Sequence, residues 1–124
     1  MRYIIYLLMF ITSGCFASDK AFVLFYKSTC PHCRRFDPIL KQYAVAHGIP
    51  VLAYTIDGSN LPSFPNSIYP TKAEVEQFFP QQQIEVPALF IMDIKNKRIL
   101  PVMKGEATYK QLSGRVKQII DLGN

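Results

Sequence analysis

The run Thr29-Cys30-Pro31-His32-Cys33-Arg34 holds the residues of this chain whose types and spacing can do chemistry. An apolar stretch ends just before it and an amphipathic pattern begins inside it, so the two cysteines fall where a strand hands over to a helix. A cysteine at a helix N-terminus faces unsatisfied backbone N–H groups and the positive end of the helix dipole, both of which favour a thiolate over a thiol. His32 adds a donor and, when protonated, a positive charge, while Pro31 fixes one backbone angle and removes a donor. Stabilising the thiolate stabilises the reduced form, which makes the matching disulfide a stronger oxidant. Cys30, at the exposed cap, is expected to exchange with a substrate sulfur. Cys33, one turn on and facing the interior, is expected to resolve the mixed disulfide or reclose the ring.

Other chemistries fit these residues less well. A structural zinc site wants four ligands and one Cys-x-x-Cys supplies two; His32 and His47 are the remaining plausible ligands, and no second such pair occurs in the sequence. Covalent haem attachment requires histidine directly after the second cysteine, where this chain has Arg34. A bridge between Cys30 and Cys33 with no turnover would constrain too little chain to stabilise the fold much. No metal and no cofactor is therefore expected. Lys27, Arg34, Arg35 and Lys41 lack the aromatic interleaving of a nucleic-acid surface and read as solvated flanks, so no nucleic-acid partner is expected either. His47 reads as a helix C-terminal cap or a surface group.

The elements that must position the pair follow from hydrophobic periodicity. Ala21–Lys27 has the length and composition of a strand buried on both faces. From Cys30, apolar residues recur through Cys33, Phe36, Leu40, Tyr43 and Ala44 at helical spacing, to an end near His47-Gly48, with a kink expected at Pro38. Val51–Ile56 is a second strand, and residues 57–70, with three prolines, form a loop long enough to suggest a function of its own. Thr71 with Glu74 makes a capping box for a short helix to about Phe79. Ala88–Ile94 and Ile99–Met103 flank a tight turn at residues 95–97 and should pair as an antiparallel hairpin. Thr108 with Gln111 caps a last helix whose inner face is Tyr109, Leu112, Val116, Ile119 and Ile120. The order predicts an α/β domain: a central mixed four-stranded sheet flanked by helices. Val86-Pro87 stands at the mouth of the third strand, as a proline that needs no ladder donor or as a cis bond marking a specific turn.

With 124 residues, 49% of them hydrophobic, and nine Phe and seven Tyr, the chain has material for one packed domain and none for a multi-domain enzyme. Residues 1–17 carry one positive charge, an apolar run from Tyr3 to Ile11 and then small residues, the anatomy of a secretory signal peptide. Two cleavage patterns compete. Cys15-Phe16-Ala17 gives a free mature chain from Ser18, the expectation adopted; Ser13-Gly14-Cys15 resembles a lipoprotein signal that would leave Cys15 lipidated and the domain membrane-tethered. Removing residues 1–17 leaves 107 of 124 residues, the domain 18–124, with two of the three cysteines and a charge of +4. Export implies a periplasmic setting in which a thiol pair can persist as a disulfide.

Taken together, these pieces resemble the thioredoxin superfamily. Phe25-Tyr26-Lys27-Ser28-Thr29-Cys30-Pro31-His32-Cys33 is similar to its active-site strand and turn, Pro38 to the proline of its active-site helix, Pro87 to its cis-proline, and Gly105 to the glycine ahead of its last helix. The Cys-Pro-His-Cys motif with Val86 before the proline is similar to DsbA-type oxidants. The longer run through Arg34-Arg35-Phe36-Asp37-Pro38, with the proline-rich loop, is most similar to the TraF/TrbB thiol-disulfide proteins of conjugative transfer. The resemblance implies a minimal thioredoxin fold and a redox-active disulfide between Cys30 and Cys33. It also implies tuning by Pro31 and His32, and substrate contact by Val86 and Pro87. The implied activity is formation or isomerisation of disulfides in secreted or periplasmic cysteine-containing proteins, including conjugation components, with a membrane redox partner that resets the pair. The chain departs from the superfamily at Leu24, where an acidic residue often stands. A partner-fed periplasmic reductase and a non-catalytic client- or metal-binding module remain open as alternatives.

Overall fold

The computed structural model describes residues 19–81 and 83–123; the leader read from residues 1–17 and both of its cleavage points lie outside them. The chain runs β1 (Lys20–Tyr26), α1 (Pro31–His47), β2 (Val51–Thr55), α2 (Lys72–Phe78), β3 (Ala88–Asp93), β4 (Arg98–Lys104) and α3 (Tyr109–Gly123). The strands form one sheet in the order β2-β1-β3-β4. β1 pairs parallel with β2 in the register Leu24 to Ala53, and antiparallel with β3 in the register Leu24 to Leu89. β3 and β4 form the expected hairpin, with a register shift between Leu89 and Phe90.

The side-chain period of two along β1 supplies both layers of the core. Phe22, Leu24 and Tyr26 face one side with Leu89, Ile91 and Val102, beneath Phe36 and Leu40 of α1 and Leu112 and Val116 of α3. Val23 and Phe25 face the other side with Tyr54, Ala88 and Phe90, beneath Phe78 and Phe79 at the end of α2. Phe25 is the hub of this second layer, its ring centroid 5.0 Å from Tyr54, 5.2 Å from Phe78, 5.0 Å from Phe79 and 6.0 Å from Phe90. Tyr54 extends the layer outward by donating its hydroxyl to Glu74 of α2.

Helix ends lie where local chemistry puts them. Cys30 is the N-cap of α1 and Pro31 its first residue, a position where the missing N–H has no intrahelical partner to lose. Gly48, at φ 64°, closes the helix in the left-handed conformation, and His47 Nδ1 donates to the Tyr43 carbonyl at 2.9 Å. α1 continues through Pro38 without ending. Thr71 and Glu74 form both halves of their capping box, and Thr108 and Gln111 bond reciprocally at 3.2 and 3.0 Å.

Residues 57–70 are pinned to the domain rather than hanging from it. Ile68 donates to the Ala53 carbonyl and its own carbonyl accepts from Thr55, while the Tyr26 hydroxyl donates to the Ser59 carbonyl at 2.8 Å. Leu61 and Phe64 are buried against the α1 side of the sheet, and Ser63 N–H donates to Asp37 Oδ2 at 3.2 Å. The loop is thereby fixed beside the start of α1. Because Phe25 holds the second layer together, Phe25→Ala is expected to cost about 3–5 kcal/mol in denaturant unfolding. A loss below about 1 kcal/mol would contradict this packing.

Candidate active site

Cys30 and Cys33 are both free thiols, Cys30 partly exposed and Cys33 1% exposed. The Cys30 sulfur accepts from the backbone N–H of Cys33 at 3.3 Å, so the side chain caps its own helix. That hydrogen bond and the aligned dipole place partial positive charge at the sulfur expected to exchange. Burial first, and the neighbouring Cys30 sulfur second, push the Cys33 thiol up to about 12. The two thiols are thus chemically unequal although only three residues apart.

His32 and Arg35 point along the exposed rim of α1 toward Glu106, in the turn between β4 and α3. Glu106 receives Arg35 through Nε at 2.9 Å and Nη2 at 2.7 Å, and His32 Nδ1 lies 2.6 Å from Oε1. Arg35 first, then His32, hold the Glu106 carboxyl down at about 2. Arg35 Nη2 also lies 2.9 Å from His32 Nδ1. Arg35 has no acceptor atom. With a carboxylate as common acceptor, Nδ1–H and Nη2–H both donate to Glu106 rather than to each other. Glu106 is placed by Gly105, whose φ of 86° suits glycine and whose N–H donates to the Pro87 carbonyl at 2.7 Å.

The Val86–Pro87 bond is cis, and Val86 packs against the same core cluster as Cys30. The expected site residues Cys30, Pro31, His32, Cys33, Val86 and Pro87 therefore gather at one end of the sheet, around the head of α1. On the other flank, Thr29 and Arg34 face Asn60, Leu61 and Pro62 across an open cleft of about 510 Å³ walled by the pinned loop. Asp57 anchors that wall by accepting from the Ser28 N–H and hydroxyl at 2.9 and 2.8 Å, and Ser28 is the main reason its carboxyl is held at about 2.

Three residues escaped the sequence reading. Glu106 lies 74 positions from His32, and no motif points to it. Arg35, read as a solvated flank, is half of a bidentate ion pair. Asp37 is 2% exposed, with Oδ2 spent on Ser63 and Oδ1 without a hydrogen-bond partner. A carboxylate beside the apolar positions of an amphipathic helix was the available signal. Leu24, at the departure noted from the superfamily, is buried in the core.

The sequence model of TraF, the F plasmid transfer operon protein, matches residues 9–117. The chain belongs to the TraF family. It is 30% identical over 105 residues to protein TrbB of Escherichia coli (strain K12), a match that takes in 85% of this chain and 58% of TrbB. The TraF-family chain thus spans well under two thirds of that relative's length. Among solved structures it resembles a DsbE-like thiol:disulfide interchange protein from Chlorobium tepidum, with a TM-score of 0.61 at 19% identity over 82% of this chain and 80% of that one. It also resembles a thioredoxin-related protein from Neisseria meningitidis serogroup B, with a TM-score of 0.58 at 17% identity over 87% and 90%. At such identities the likeness is one of fold, and that fold is the thioredoxin fold.

The inequality of the thiols gives a direct test. Iodoacetamide applied to the reduced protein at pH 8 is expected to modify Cys30 and spare Cys33, with Cys33 labelling rising only as the pH approaches about 12. Equal labelling of both in peptide mass maps at pH 8 would contradict the geometry.

Proposed function

We propose that this protein is an exported thiol-disulfide oxidoreductase that forms or rearranges disulfides in other exported proteins, among them components of a conjugative transfer apparatus. The observation that carries this reading is a pair of free thiols of unlike exposure at the head of α1, one capping the helix and one buried beneath it. Membership of the TraF family supports the choice of substrates. The signal-peptide pattern of residues 1–17 supports periplasmic export, with cleavage proposed before Ser18.

In the oxidising direction a substrate thiolate attacks Cys30 Sγ. The Cys30–Cys33 bond breaks, and Cys33 leaves as a thiolate and takes up a proton. A second substrate thiolate then attacks the substrate sulfur of the mixed disulfide and expels Cys30. The substrate has lost two electrons and the active-site pair has gained them; a membrane redox partner accepts them to reset the pair. In isomerisation the reduced pair starts instead: Cys30 attacks a substrate disulfide, and Cys33 attacks Cys30 if the substrate fails to release it. Pro31 and His32 tune the pair, and Val86 and Pro87 hold the substrate chain beside it.

The test uses a reduced, unfolded protein with two cysteines as substrate. Cys30→Ser is expected to abolish disulfide formation, whereas Cys33→Ser, mixed with the same protein in its disulfide form, is expected to accumulate mixed disulfides visible on non-reducing gels. Sustained catalysis by Cys30→Ser would overturn the assignment, as would a Cys33→Ser variant that traps nothing.

A further inference from the structure

The carboxylate of Glu106 is bonded to two polar side chains of α1 beside the Cys30–Cys33 turn, and its bonding pattern is specific. It takes three hydrogen bonds from two Arg35 nitrogens and one from His32, at 2.6 to 3.2 Å. Both donors sit on α1 within five residues of Cys30, and the bond to Glu106 is the main reason the Arg35 guanidinium is held charged. A guanidinium and an imidazole beside the Cys30 turn are therefore shared with a carboxylate. The sharing is held by structure, because the Gly105 N–H bond to the Pro87 carbonyl fixes the turn that carries Glu106. Glu106 is 35% exposed at its side chain, so the cluster lies at the rim, where charges interact appreciably but salt still reaches them.

We infer that Glu106 sets the redox poise of the Cys30–Cys33 pair by drawing the positive charge of Arg35 and His32 away from the Cys30 thiolate. It is a positioning residue, acting through two side chains rather than on substrate, and this role rests on the proposed thiol-disulfide exchange. The physical basis is that reduction of the disulfide creates a thiolate at the helix cap. Whatever lowers that thiolate's free energy makes the disulfide easier to reduce and a stronger oxidant. A carboxylate in the same cluster opposes this by its own charge and by orienting the guanidinium and the imidazole toward itself. Replacing Glu106 with glutamine removes a full negative charge from the acceptor that Arg35 and His32 share. Arg35 stays charged throughout. Its guanidinium is then free to turn toward the sulfur.

The experiment equilibrates the full mature protein with glutathione buffers of graded ratio and reads the fraction of oxidised pair for wild type, Glu106→Gln and Arg35→Met. Glu106→Gln is expected to become more oxidising, by about three- to tenfold in the equilibrium constant, or about 15 to 30 mV. Arg35→Met is expected to move the other way, toward the more reducing side. Both differences should shrink in 1 M salt. Opposite signs at two ends of one ion pair are not what loss of structure would give, and near-native circular dichroism confirms folding of each variant. A Glu106→Gln constant within threefold of wild type, or shifted to the reducing side, overturns the role given to Glu106. So does a common direction for both variants. A wild-type protein that never equilibrates with glutathione would instead overturn the exchange reading, and the role of Glu106 with it.

Discussion

The Cys33 N–H donating to the Cys30 sulfur across the first turn of α1 is the contact on which the site depends. It makes one thiol the cap of a helix and turns the other inward, so a single local bond creates two environments from two identical side chains. The cap sits at the positive end of the helix dipole. The inward thiol lies among Phe36, Leu40 and the strand residues of the core, where burial keeps it protonated. Nothing in the chemistry of cysteine separates them; the helix start does.

Holding that helix start in place takes most of the domain. β1 delivers the chain to residue 27 from the centre of the sheet, with Val23, Leu24, Phe25 and Tyr26 each at most 1% exposed. The aromatic layer around Phe25 covers one face, and α1 and α3 cover the other. The loop at residues 57–70 braces the outer side of the turn through Asp57 and Ser28. The cis-proline turn and Glu106 brace the other side through Gly105. The rim is electrostatic where the interior is apolar.

Much of this was legible in the sequence because the signals were local. The apolar run that became β1, the Thr71–Glu74 and Thr108–Gln111 caps and the Cys30-Pro31 helix start each depend on residues a few positions apart, and each formed where expected. Strand and helix ends moved by only a residue or so. What stayed hidden depends on long-range placement. Arg35 looked solvated because its partner is 71 residues away and is brought near by the β4–α3 turn. Asp37 is buried because a distant loop folds over it and supplies the Ser63 donor. The same loop, long enough in sequence to suggest a function of its own, gave no sign of where it would lie. Its bonds to Tyr26, Thr55 and Ala53 make it a wall of the site. The cis form of the Val86–Pro87 bond was one of two readings, since its neighbours in space and not in sequence select it.

The proposed oxidising role rests on the helix cap at Cys30, since whatever stabilises a thiolate there makes the disulfide a stronger oxidant. The measurement that bears on this most directly is the standard reduction potential of the Cys30–Cys33 pair in the wild-type mature protein, from equilibration with a dithiol of known potential. The expected value lies nearer to about −120 mV, as in strong disulfide donors, than to about −270 mV, as in thioredoxin. A potential at or below about −270 mV would show that the cap does not favour the reduced pair, and would contradict an oxidising role.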